Sequence, residues 1–211
     1  MSLLMNQNLL KHREVSTASL NNLCTIVHKM AVEGTYTGQV YTGQANLLGS
    51  FSLVYDKNNQ ATQAQIDLSA FDDLTQVNLD KKPFATPPEF ITGQDGIVIF
   101  FITGTHADLY ATLTDSNNQV AFDSRALDKG DAAVFRLIAT GTYELADSAG
   151  QTLDITVNEP VDGKYADIND QQPVIITLDG TGFTPAVAAI DPLQVIIISI
   201  EVPATLDLTK S

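Results

Sequence analysis

The sequence predicts an all-β protein, a Greek-key β-sandwich with one α-helix near its N-terminus. From Thr35 onward apolar and polar residues alternate at period two. Turns rich in Asp and Asn separate these runs. Only Ser16 to Val32 places its apolar residues at the three-and-four spacing of a helix. The chain has 211 residues, 44% hydrophobic and 17% charged, which is the make-up of a folded globular chain. At that length about 70% of the unfolded surface can be buried.

Taken in order, residues 1–33 read as an N-terminal helical segment. Leu20, Leu23, Cys24, Val27 and Met30 form the apolar stripe, Ser16 or Thr17 supplies the N-cap, and Gly34 the stop. Residues 34–157 read as the β-sandwich core. Tyr36-Thr37-Gly38-Gln39 recurs at once as Tyr41-Thr42-Gly43-Gln44, and Ser50 to Tyr55 alternates as a strand. The turn Asp56-Lys57-Asn58-Asn59-Gln60 then predicts a hairpin whose partner strand is Ala64 to Leu68. The same chemistry returns in Asp115-Ser116-Asn117-Asn118-Gln119, between Leu109 to Leu113 and Val120 to Phe122.

Residues 158–172, where Asp, Asn, Gly and Pro cluster, read as a linker, and 173–211 as C-terminal strands. A longer echo joins the two regions: Thr86 to Ile102 aligns without gaps on Thr184 to Ile200. Each copy ends in a continuous apolar strand, Ile97 to Phe100 and Val195 to Ile198, expected to be buried on both faces. The echo leaves a partial second repeat open.

Phe90 to Phe101 reads as a strand, a turn and a buried strand, and Leu127 to Asp131 with Phe135 and Gly141-Thr142-Tyr143-Glu144 as a closing turn and strand. In these segments the central third of the chain resembles the cupredoxin family. The resemblance implies a Greek-key sandwich with His106 near the first copper histidine. A blue-copper site needs a thiolate after the closing strand, with a second histidine and a methionine beside it. Here that stretch is Leu145 to Gln151, and neither sulfur nor histidine follows His106. The fold is expected without the copper.

The formal charge of -14, from 25 acids against 11 bases, repels phosphate backbones and anionic headgroups, so nucleic acid and membrane insertion are not expected. The apolar run Val195 to Ile200 is far shorter than a spanning helix needs. Met1 to Leu10 shows no secretory signal, and localisation stays unknown. Cys24 is the single cysteine, which rules out an intrachain disulfide.

Two places hold candidate metal ligands. His106 with Asp108 lie two apart, on one side of a strand, where they suit a lone metal or a proton-transfer pair. Asp162, Asp167, Asn169 and Asp170 supply the closely spaced oxygens that calcium takes, although without the EF-hand order; Asp67, Asp72, Asp73 and Asp80 form a second acidic group. Cys24 and His28 share a helix face at zinc spacing, two ligands where a closed site needs four. Tyr36, Tyr41 and Tyr55 are a candidate stacking platform. No nucleophile elbow and no phosphate-binding glycine loop is present.

The expected function is therefore a non-catalytic binding or assembly module without a cofactor, its partner another protein or further copies of itself. The alternatives are a metal-dependent enzyme centred on His106 and a calcium-stabilised adhesive domain.

Overall fold

A computed structural model describes residues 14–71, 87–103, 108–160 and 170–211. In chain order the strands are β1 (Glu14–Ser16), β2 (Cys24–Lys29), β3 (Gly34–Thr42), β4 (Leu47–Tyr55), β5 (Gln63–Asp67) and β6 (Glu89–Thr92). There follow β7 (Ile97–Phe101), β8 (Leu109–Thr114), β9 (Val120–Asp123), β10 (Ala132–Arg136), β11 (Gly141–Asp147) and β12 (Thr152–Val157). The last are β13 (Val174–Asp179), β14 (Gly182–Thr184), β15 (Val187–Ile190), β16 (Val195–Ile200) and β17 (Leu206–Lys210). The described residues are thus all β, apart from one short 3-10 turn, Leu68–Phe71. None forms a helix long and apolar enough to cross a membrane.

The N-terminal helix is not there. Leu20 and Leu23 instead lie in the turns after β1, Cys24 and Val27 lie in β2, and Met30 follows it. Thr25-Ile26-Val27 is a run of three β-branched residues, which lose side-chain freedom in a helix and fit a pleated sheet. Upstream, the Asn21 carboxamide accepts the Leu23 N–H at 2.9 Å, and Leu20 bridges to Leu109, so the backbone finds its partners without a helix. Leu20, Leu23, Cys24 and Met30 are all buried, which reproduces the apolar pattern at a different period.

Three sheets result. A central seven-stranded sheet runs β14-β13-β16-β10-β2-β7-β5; the two five-stranded sheets run β6-β4-β3-β8-β9 and β1-β17-β11-β12-β15. All three feed one hydrophobic core. The central sheet meets the first outer sheet where the Phe100 ring stacks on Phe122 with centroids 5.0 Å apart.

The first predicted hairpin is a sheet change. The carboxylates of Asp56 and Asp115 each accept the N–H two residues on, at 2.9 and 2.8 Å, so both turns form as read. Only the second closes a hairpin, β8 to β9. After Gln60 the chain leaves its sheet, and β5 pairs in parallel with β7 instead of returning along β4. Gly93 makes room for this: a Cβ there would lie 2.2 Å from the Asn59 carbonyl oxygen and 2.3 Å from that of Ala61.

The strand pairings occur twice. In one set β3 pairs antiparallel with β4 and β8, β4 parallel with β6, β5 parallel with β7, and β7 antiparallel with β2. In the other β11 pairs with β12 and β17, β12 with β15, β13 with β16, and β16 with β10, each with the same sense. Registers agree as well: Leu53↔Phe90 corresponds to Ile155↔Ala188, and Ile66↔Phe100 to Ile176↔Ile198. The echo between Thr86–Ile102 and Thr184–Ile200 follows this correspondence, placing β6 with β15 and β7 with β16.

The halves are tied together in two ways. First, β2 and β10 pair antiparallel and fuse the inner strands into one sheet. Second, each half lends its opening strand to the other: β1 pairs with β17 at the end of the chain, and β9 with β8. The lending is held by a matched pair of buried hydroxyls. Thr17 Oγ1 accepts the Leu206 N–H at 2.9 Å, and Ser124 Oγ accepts the Ala111 N–H at 3.0 Å. Gly34-Thr35-Tyr36 likewise matches Gly141-Thr142-Tyr143. Each tyrosine donates its hydroxyl to the carbonyl four residues back, Val32 at 2.6 Å and Ala139 at 2.7 Å.

Candidate functional site

Of the metal candidates, His106, Asp162, Asp167 and Asn169 lie outside the described residues, as do Asp72, Asp73 and Asp80. Asp108 and Asp170 are described. Asp170 sits exposed in a turn. Asp108 holds φ +74°, a left-handed conformation that aspartate tolerates better than most side chains. Its carboxylate accepts the Ser19 hydroxyl, and its carbonyl accepts the Gly43 N–H at 2.6 Å. Gly43 fits because a Cβ would fall 2.0 Å from Asp108 Oδ1. The glycine of the second Tyr-Thr-Gly-Gln copy is thus required by close approach to Asp108.

Asp108 also lines an open cleft of about 480 Å³ with Glu14, Ser19, Asn21 and Asp207, along the lent strand β1. Among the described residues no group of three or more His, Cys, Asp or Glu is arranged to hold a metal ion. Asp67 is occupied locally: its Oδ1 accepts the Ser69 hydroxyl at 2.6 Å, and its Oδ2 accepts that of Thr103.

Cys24 and His28 share a face as expected, but of a strand. Cys24 is fully buried, and that burial pushes its thiol far above the ordinary range, which keeps it protonated and a poor ligand. His28 has a different partner. Its Nδ1 lies 2.6 Å from Asp131 Oδ1, across the seam where β2 meets β10, and its ring lies against Phe122 at 4.3 Å. Asp131 is 4% exposed, and its other oxygen accepts the Asp128 N–H at 2.9 Å. The pair joins a residue of β2 to the residue that precedes β10, the geometry of a clasp between the two strands.

The tyrosine platform does not form. Tyr36 and Tyr55 are buried in the core, at 6% and 5% exposure, while Tyr41 points to the other face of β3. There it stacks on Tyr110 at 5.0 Å, and the Arg125 guanidinium lies 4.1 Å over the Tyr110 ring. Arg125 also pairs with Asp123 at 2.7 Å, and that hydrogen bond holds its pKa up.

The largest feature missed by sequence reasoning is a surface. The apolar strands β7 and β16 are buried on one face only. Val98, Phe100, Ile196, Ile198 and Ile200 are in the core, while Ile97, Ile99, Phe101, Val195 and Ile197 point outward and are half-buried. Cross-strand register continues this outward face through Val27 and Thr25 of β2 and Ala132 and Val134 of β10. At the β13 side it ends in Ile175, 63% exposed. The runs themselves were the available signal, but a continuous apolar strand does not state whether its second face is covered.

No protein-family model, curated protein or solved structure matches this chain.

Proposed function

We propose that this protein is a non-catalytic binding or assembly module, built from two copper-free, cupredoxin-like Greek-key sandwiches that share a central sheet. Support for the cupredoxin-like reading comes from the segments that carry the resemblance. Phe90 to Phe101 spans β6 and β7, which cross from an outer sheet to the central one, and Gly141 to Glu144 opens β11. Neither sulfur nor histidine follows His106, where a copper site of that family would need them.

One observation carries the binding function: the partly exposed apolar face spread over β7, β2, β10 and β16. Contiguous apolar patches of this kind mark interaction sites on folded proteins. A rigid sheet presents such a patch at low entropic cost, because its side chains are already fixed by their cross-strand neighbours.

Photo-crosslinking in the expressing cell tests this reading, with a benzophenone side chain placed at Ile99. A discrete adduct on one protein, whether this chain or another, supports it. Absence of any adduct, together with a stoichiometric transition metal that is lost on His106→Ala, favours the metal-dependent enzyme instead.

A further inference from the structure

We infer that the two lent strands are reciprocal straps, through which the two halves of the chain open and close as one unit. A chain of 211 residues built from two repeats would ordinarily unfold in steps, one repeat at a time.

Both straps are fastened in the same way. β1 lies on β17 and buries Val15 there; β9 lies on β8, where the buried Phe122 stacks on Phe100. Past each strand the chain turns back to its own half. The Ser19 N–H donates to the Ser16 carbonyl at 3.3 Å in one turn, and the Ala126 N–H to the Asp123 carbonyl at 3.0 Å in the other.

Each turn is pinned on both sides. Within it one amide stays on the borrowing half: the Thr17 N–H donates to the Leu206 carbonyl and that of Ser124 to the Ala111 carbonyl, both at 2.9 Å. Just beyond it the next anchor is on the lending half. There the Leu20 N–H donates to the Leu109 carbonyl at 2.8 Å, and that of Leu127 to the Ala204 carbonyl at 2.9 Å.

Neither half can therefore open without stripping the other. Opening the first removes the β8 partner of β9, the β2 partner of β10 and the Leu109 carbonyl that holds the chain as it leaves β1. Opening the second removes the β17 partner of β1, the β10 partner of β2 and the Ala204 carbonyl beyond β9. Either event also strips packing from buried side chains of the half left standing, Cys24 and Ile26 on β2 or Ala133 and Phe135 on β10. Backbone groups of the fused sheet lose their partners at the same moment. A ligand that holds one half closed thus stabilises the other by the same amount.

Native-state hydrogen exchange of the full chain tests this, read at the slowest amides of β4 in the first half and of β12 in the second. Both sets are expected to exchange through one common opening, with equal protection that falls in parallel as urea is added. Ile66→Val and Ile176→Val, at equivalent buried positions of β5 and β13, should each lower both sets by the same factor, about twofold to tenfold. Val15→Ala isolates a strap. Although β1 is a strand of 3 residues at a sheet edge, this change should lower protection in β4 and β12 alike, by about tenfold. Scanning calorimetry should show a single transition whose calorimetric and van't Hoff enthalpies agree. A loss of protection confined to the half that carries the substitution overturns the inference. So does an effect of Val15→Ala that stops at β1 and β17, or a pair of resolved calorimetric transitions.

Discussion

The imidazole Nδ1 of His28 meets Asp131 Oδ1 at 2.6 Å across the seam between β2 and β10, and the equivalent pair at the other end of that seam is Phe135 and Cys24. The repeat thus closes one end of its junction with a polar contact and the other with an apolar one.

Breaking the polar end should cost more than replacing it. Asp131→Cys leaves His28 and the Asp128 N–H without their acceptor and is expected to destabilise by about 2–4 kcal/mol. Adding His28→Phe recreates the pairing found at Cys24 and Phe135. The double variant should therefore lie closer to the wild type than Asp131→Cys alone, as read from urea unfolding midpoints at constant slope.

Tyr36→Phe and Tyr143→Phe each remove one hydroxyl bond to a carbonyl in the preceding turn. Each should cost about 1 kcal/mol in thermal or urea unfolding. The two residues serve different outer sheets and share no partner, so the double variant should show the sum within about 0.5 kcal/mol.

Thr17→Val and Ser124→Ala strip the acceptors from the Leu206 and Ala111 N–H groups. Both hydroxyl residues are fully buried, so each change strands a donor away from water and should cost about 1–3 kcal/mol. Amide hydrogen exchange should speed up at Leu206 in the first variant and at Ala111 in the second; unchanged protection at those two amides would remove the role given to the hydroxyls.

Gly38→Ala places a methyl group 2.0 Å from the Phe51 ring, which is buried and walled in by Phe71 and Phe90. The expected loss is about 1–3 kcal/mol from overpacking. A companion Phe51→Leu change should recover part of it.

Acid should loosen two turns. The Gln119 N–H, then that of Asn117, holds the Asp115 carboxyl below the usual carboxylate range, and Thr181 does the same to Asp179. A carboxyl whose folded pKa is depressed stabilises above its ordinary pKa of about 3.9 and loses that contribution as pH falls through the lower folded value. The carboxyl resonances of both residues should therefore titrate below that of a free aspartate, and Asp115→Ala should flatten the fall of Tm between roughly pH 4 and pH 2.

Some of this was legible in the sequence because it depends on neighbours a few residues away. The Asx turns at Asp56 and Asp115 formed where their side chains placed them. Alternation gave strands from Thr35 onward, and the net charge is fixed by the residue count alone. The gapless echo found the correspondence of β6 with β15 and β7 with β16.

Tertiary structure decided the rest, for one physical reason: the period of an apolar pattern says that a face is buried but not against what. Cys24 to Lys29 read as helix from its apolar spacing, and pairing with β7 and β10 on both sides made it a strand. The Asp56 turn set a local bend, while Gly93 and the parallel partner β7 chose the sheet into which the chain then passed. His28 and Asp131 lie far apart in sequence and meet only because the inner strands of the two halves fuse, which no local rule encodes. The outward apolar face exists for the same reason, since its rows are assembled from four strands that the chain visits at widely separated points.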